Sequence, residues 1–143
     1  MDIRQWQASG DRQTLLGHEI FTRVEPDTGK PPLLLIHGYP TACWDFETLW
    51  PALSDTFRLV SCDMLGFGFS AKPADHVYSI HQQADIIEAL VSHVGLEEYH
   101  VLAHDYGDTV AQELLARQNS GNGIGSCLSM CFLNGGLFPE THR

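Results

Sequence analysis

Five residues, Ala103-His104-Asp105-Tyr106-Gly107, carry the chemistry this sequence offers most directly. They join a β-compatible run, Tyr99 to Ala103, to a segment patterned as a helix, with a small residue two places before Asp105 and a glycine two places after it. That spacing suits a strand–turn–helix elbow, where a bend too sharp for bulky neighbours pushes the central side chain outward at the start of a helix. The central side chain here is a carboxylate, and a helix N-terminus favours its ionised, nucleophilic form. Carboxylate attack on an ester carbonyl gives an anhydride that readily reverts. Attack on a saturated, electrophilic carbon instead expels a leaving group and gives a stable ester, which water then cleaves at its own carbonyl. Asp105 therefore points to C–O cleavage of an epoxide or to C–halogen cleavage rather than to ordinary esterase work. The plainer alternative is a carboxylate that only complements the helix dipole, but such a cap does not demand small residues on both sides.

Short apolar strands and amphipathic helices must position this bend. His18 to Val24 is strand-like, and PDTGKPP (26–32) marks a turn. Leu33 to Ile36 is wholly apolar, as suits a strand buried on both faces, and it ends at His37-Gly38. Phe46, Leu49, Trp50 and Leu53 recur on one helical face over Asp45 to Leu53, with Pro51 expected to end or kink that helix. Phe57 to Cys62 is the next strand, followed by Asp63 and the turn LGFGFS. Ser79, with Gln82 three places on, reads as a capping box for a helix with Ile80, Ala84, Ile87, Leu90, Val91 and Val94 on its apolar stripe, stopped by Gly95. After the elbow helix, Asn119 to Gly125 is a loop, Ser126 to Leu133 a last strand, and Asn134-Gly135-Gly136 its end. The order ββαβαβαβ implies an α/β fold with a mainly parallel sheet flanked by helices. In such sheets ligands sit beyond the carboxyl ends of the strands, where His37 to Pro40, Asp63 to Ser70, Asp105 and Asn134 all fall.

The totals narrow the function classes. Eight Lys and Arg against eighteen Asp and Glu leave a net charge of −10, which repels phosphate backbones and argues against nucleic acid as a partner. The four cysteines, Cys43, Cys62, Cys127 and Cys131, lack metal-ligand spacing and read as reduced, buried thiols of a cytoplasmic protein. The eight histidines form no HExxH or other metal pattern, so neither metal nor other cofactor is expected. The opening residues carry no apolar signal segment, and no run approaches membrane-spanning length.

HGYPTACWDF, DMLGFGFSAKP and AHDYGD, in this order and spacing, resemble the α/β-hydrolase superfamily over roughly residues 30–143. The aspartate elbow resembles the epoxide hydrolases and haloalkane dehalogenases, and GFGFSAKP, HDYGD, VAQELL and NGGLFPETHR look most like the mesoderm-specific transcript branch. The resemblance implies Asp105 as nucleophile and an oxyanion hole from the backbone N–H groups of Tyr106 and Tyr39. It implies a pocket for a small apolar substrate near His37, Trp44, Phe46 and His104. By residue type, His37 reads as a structural turn histidine rather than a base, His104 as a packed neighbour of Asp105, and Trp44 and Phe46 chiefly as core. Dehalogenases of this type commonly place Asn and Trp where this chain has Tyr39 and Tyr106, which favours an epoxide-hydrolase-like reading over a dehalogenase. A catalytically silent member used for binding or regulation is the rival from another class.

Asp108 departs from the small residue usual after the elbow glycine. It reads as a first-turn carboxylate favoured by the helix dipole, or more sharply as a charge acting on Asp105. Asn134 cannot supply a triad acid at its strand end, and His142, next to the terminus, makes no convincing triad histidine. Residues 1–143 therefore read as a single, incomplete N-terminal core, with cap, later strands and triad histidine absent, and with an unprotected last strand. Natural substrate and oligomeric state leave no mark in the sequence.

Overall fold

The structure, a computed structural model, describes residues 1–134. Gly135, Gly136 and His142 lie outside the described residues. The strands apolar on both faces form the middle of the sheet. Pro32–Ile36 (β3) and Arg58–Cys62 (β4) lie side by side, with Leu34, Leu35, Leu59 and Val60 wholly buried. Glu98–His104 (β5) pairs with the other edge of β3, and Ser126–Leu133 (β6) with β5, all parallel. Asp11–Leu15 (β1) and His18–Val24 (β2) form an antiparallel hairpin, attached through β2 to β4. The order is β1-β2-β4-β3-β5-β6.

From β3 the chain steps to β4 on one side and later returns to β5 on the other. The strand order thus reverses between β3 and β5, and loops leaving their carboxyl ends diverge around a crevice. The site is positioned by this reversal.

Alternation along the strands sorts the core into two layers. Leu34, Ile36, Val60, Cys62, Val101 and Ala103 face the helices Ile80–Val94 and Tyr106–Asn119. Leu33, Leu35, Leu59 and Phe21 face an aromatic cluster of Trp6, Phe46 and Trp50. In that cluster Trp6 packs edge-on to both Trp44 and Trp50, and the Arg23 guanidinium lies 4.3 Å from the rings of Trp6 and Trp50.

Several local expectations are corrected. A short helix, Ile3–Ala8 (α1), and strand β1 precede the predicted elements. Each is anchored by one buried residue, Trp6 and Leu15 respectively, and so has no hydrophobic period to read. The predicted helix over Asp45 to Leu53 is a 3₁₀ turn, Cys43–Phe46, followed by a short helix, Trp50–Ser54 (α2). Pro51 sits in the first turn of α2, where its missing N–H costs nothing, and Leu49 is exposed. Ile80–Val94 (α3) starts at Ser79, whose hydroxyl accepts from Gln82 N–H. The reciprocal half of the capping box is missing because Gln82 Oε1 bonds His76 Nε2 at 2.6 Å. Gly95 ends α3 in the left-handed conformation, φ +81°.

All four cysteines are free. Cys43 and Cys62 are buried, and burial pushes both thiols up. Cys131 is exposed and Cys127 half-buried, because β6 is the edge strand and among the described residues one of its faces is uncovered. Among the described residues no helix is long and apolar enough to cross a membrane.

Candidate active site

Asp105 lies between β5 and Tyr106–Asn119 (α4) with φ +53° and ψ −116°. A non-glycine residue there carries backbone strain of order 1–3 kcal/mol, which persists only where the surroundings impose it. Its N–H donates to Leu133 O on β6 at 2.9 Å, and its carbonyl accepts from Asp108 N–H at 2.9 Å. From β3, a Cβ at Gly38 would stand 2.7 Å from Asp105 Cβ, and one at Gly107 would stand 2.5 Å from the carbonyl oxygens of Ile36 and His37. The glycine at 107 therefore answers to the end of β3 across the sheet, rather than to Ala103.

The Asp105 side chain makes no capping bond to its own helix. Oδ2 instead accepts from the Tyr39 backbone N–H at 3.1 Å. Tyr106, as the first residue of α4, has no acceptor one turn back for its own N–H. The Asp105 carboxylate and the Tyr39 donor thus meet where the loops after β3 and β5 part, and the Tyr106 N–H follows Asp105 directly at the start of α4. Beside them is a cavity of about 410 Å³ lined by Tyr39, Leu65, Gly66, Phe67, Tyr78, Gln83 and Tyr106. Phe67 organises it, with ring centroids 6.0 Å from both Tyr39 and Tyr106. Among the described residues no Lys, Arg, Asp, Glu or His lines this cavity, so that lining suits an uncharged ligand.

The other expected pocket residues lie elsewhere. His37 is wholly buried. Its Nδ1 sits 2.8 Å from Gly38 O and its Nε2 accepts from Met64 N–H at 2.9 Å, which makes it a neutral imidazole protonated on Nδ1. Burial lowers its pKa, and with both nitrogens committed it neither lines the cavity nor has a free base. Trp44 and Phe46 belong to the aromatic cluster on the opposite layer. His104 packs under the loop after β3, where a Cβ at Gly38 would come within 3.0 Å of its Nδ1. Among the described residues no three His, Cys, Asp or Glu side chains gather to hold a metal ion.

Sequence reasoning missed Leu65, Phe67, Tyr78 and Gln83. Two of them come from the glycine-rich turn after β4, a segment expected at the ligand end of the sheet but with neither side chain singled out, and Gln83 is a polar residue on the buried face of α3, bonded both ways to the Leu65 backbone. It also undervalued Asp63. The buried Asp63 carboxylate accepts from Cys43 N–H and Phe69 N–H, each at 2.8 Å, and holds the turn bearing Phe67. Ser70 completes that hold, accepting from Phe21 N–H and donating to Asp63 O.

Asp108 is wholly buried, and among the described residues neither carboxylate oxygen makes a hydrogen bond of good geometry. Burial, with a smaller contribution from the Asp105 charge, raises its pKa from 3.8 to about 6, while the Leu133 backbone and His104 pull the other way. A carboxyl with a raised folded pKa contributes stability that is full below about pH 3.8 and lost as pH rises to about 6. His37, whose folded pKa is lowered, works oppositely: its contribution is present above its ordinary 6.5 and lost as pH falls. Asp108→Asn will therefore raise stability at pH 7 by up to about 3 kcal/mol, at ~1.4 kcal/mol per pH unit. Across pH 4 to 6 the variant will lose stability monotonically on acidification, while the parent is flatter. Urea unfolding at several pH values checks both; a variant no more stable than its parent at pH 7 overturns the assignment.

A family model described as alpha/beta hydrolase fold matches residues 31–138. The Mesoderm-specific transcript homolog proteins of Bos taurus and Homo sapiens are 46% and 45% identical over 147 residues, covering 99% of this chain and 44% of each relative. Haloalkane dehalogenase 2 of Mycobacterium bovis is 40% identical over 88 residues, 62% of this chain and 30% of that protein. Among solved structures, haloalkane dehalogenase DbeA from Bradyrhizobium elkani USDA94 matches with a TM-score of 0.78 at 26% identity, over 89% of this chain and 42% of that one. The chain spans less than half the length of these relatives.

Proposed function

This chain belongs to the α/β-hydrolase-fold family, and from that premise we propose that it serves a hydrolase with Asp105 as nucleophile, working through a covalent alkyl ester on epoxide-like substrates. The carrying observation is the Asp105 carboxylate, set on a strained elbow and held by the Tyr39 N–H rather than by its own helix.

In the first step Asp105 Oδ attacks an epoxide carbon. The C–Oδ bond forms as the ring C–O bond breaks, and the released alkoxide takes a proton from water. In the second, water adds to the ester carbonyl, and the resulting oxyanion lies where the backbone N–H groups of Tyr39 and Tyr106 can stabilise it. Collapse breaks the acyl C–O bond, returns the Asp105 carboxylate with one oxygen from water, and releases a diol. The apolar, aromatic lining suits a small uncharged substrate.

The haloalkane dehalogenases among the relatives favour a second reading, in which the same carboxylate expels halide. Single turnover in heavy-oxygen water tests the shared step, because hydrolysis at the ester carbonyl leaves the label in Asp105. Diol from epoxides then supports the first reading, and halide from haloalkanes the second. No label in Asp105 across a broad panel of both substrate classes would sink the covalent reading and leave a binding or regulatory member of the fold.

A further inference from the structure

A wholly buried carboxyl with no good hydrogen bond calls for an explanation, and Asp108 stands one helical turn from the proposed nucleophile. The two residues are tied directly, Asp108 N–H donating to Asp105 O at 2.9 Å. Among the described residues, the titratable groups whose charges reach Asp108 are Asp105 at the elbow and His104 at the end of β5, and what β6 presents to it is the Leu133 backbone. From β3 comes the neutral His37, committed to two backbone partners. No described cation neutralises Asp108: the first turn of α4 contains no Lys or Arg, and Arg117 near its far end is engaged by Asp85, Glu88 and Glu113.

Resting on the covalent reading, we propose that Asp108 is a positioning residue whose buried negative charge drives alkylation of Asp105 and retards hydrolysis of the resulting ester. Alkylation turns Asp105 from an anion into a neutral ester. With 1-bromobutane, the C–Oδ bond forms as the C–Br bond breaks, and the electron pair leaves with bromide. Repulsion between the buried Asp108 carboxylate and the half-buried Asp105 carboxylate is present before this step and gone after it, so an ionised Asp108 favours the step. Hydrolysis reverses the balance, because the tetrahedral oxyanion and the regenerated carboxylate restore negative charge beside Asp108. Coupling of this kind is reciprocal: neutralising Asp105 must ease the ionisation of Asp108.

The test follows alkylation of the protein by 1-bromobutane and by styrene oxide, read by mass spectrometry of the peptide containing Asp105. Asp108→Asn removes the charge and keeps the shape. At pH 8 the parent will alkylate about 3- to 10-fold faster than the variant, in keeping with the usual strength of a neighbouring charge. The ratio will fall toward one below about pH 5, where protonation makes Asp108 of the parent as neutral as the amide of the variant. A ratio constant across pH overturns the proposal and leaves Asp108 a structural role. Carbon-13 titration of the Asp108 carboxyl gives a readout independent of turnover. Its midpoint near 6 will drop in Asp105→Asn, and an unmoved midpoint overturns the coupling. Failure of the parent to alkylate at Asp105 at any pH overturns the covalent reading and this inference with it.

Discussion

Asp105→Asn will lower turnover by the full-length protein on the order of 10⁵-fold, the scale on which loss of a nucleophile acts, or about 7 kcal/mol in the barrier. Asparagine is the informative replacement because it separates chemistry from fold. It tolerates the positive φ of +53° that this position imposes. Its carbonyl oxygen can accept the Tyr39 N–H in place of Oδ2, and its backbone keeps the bonds to Leu133 and Asp108. What it lacks is a nucleophilic oxygen anion. Unfolding midpoints of variant and parent will therefore lie close together while covalent ester disappears. Alanine is a poorer probe, since it loses the Tyr39 contact and is less at ease at positive φ. Turnover of Asp105→Asn within tenfold of the parent would move the nucleophile elsewhere and remove the reason for the strained elbow.

The elbow was legible because its steric demands act on residue type: Ala103, Asp105 and Gly107 cannot be exchanged freely. The full reason for Gly107 was not legible, since the carbonyl oxygens that crowd it belong to Ile36 and His37, about seventy positions away in the chain. The same contrast holds across the fold. Leu33 to Ile36 announce a central strand because both faces are buried, whereas α1 and β1 hang on Trp6 and Leu15 alone and leave no pattern. Phe46, Leu49, Trp50 and Leu53 show helical spacing, yet Pro51 takes the first turn of a shorter helix and Leu49 turns outward. The cavity was the least legible part. Phe67 comes from a turn after β4, Tyr78 from the loop before α3 and Gln83 from α3, and only the tertiary structure brings them beside Tyr39 and Tyr106. Asp108 read as a first-turn carboxylate favoured by the helix dipole, or as a charge acting on Asp105; its burial was not legible because nothing local to α4 shows it.

Asp63→Ala will be the most destabilising substitution proposed for this fold, at about 3–5 kcal/mol. Two effects compete. Removing a buried charge relieves a desolvation penalty, and replacing a whole buried polar network by apolar groups is sometimes neutral. Here only one partner is removed. The N–H groups of Cys43 and Phe69 remain, each having donated to the carboxylate at 2.8 Å, and each orphaned buried donor costs about 1–3 kcal/mol. The orphan penalty dominates because the surroundings cannot collapse to re-pair these donors: the carboxylate fills the space against Gly68, whose φ of +53° fixes the turn. Against a typical domain stability of about 5–15 kcal/mol, such a loss lowers the urea midpoint by roughly 2 M for a slope near 2 kcal/mol per M. Asp63→Asn keeps one acceptor and will fall between the two. The damage will also reach the cavity, because the turn that Asp63 ties down carries Phe67, the ring between Tyr39 and Tyr106. A midpoint shift below about 0.5 M in Asp63→Ala would mean that the turn is held by Ser70 and its neighbours instead, and that the wall of the cavity does not depend on this carboxylate.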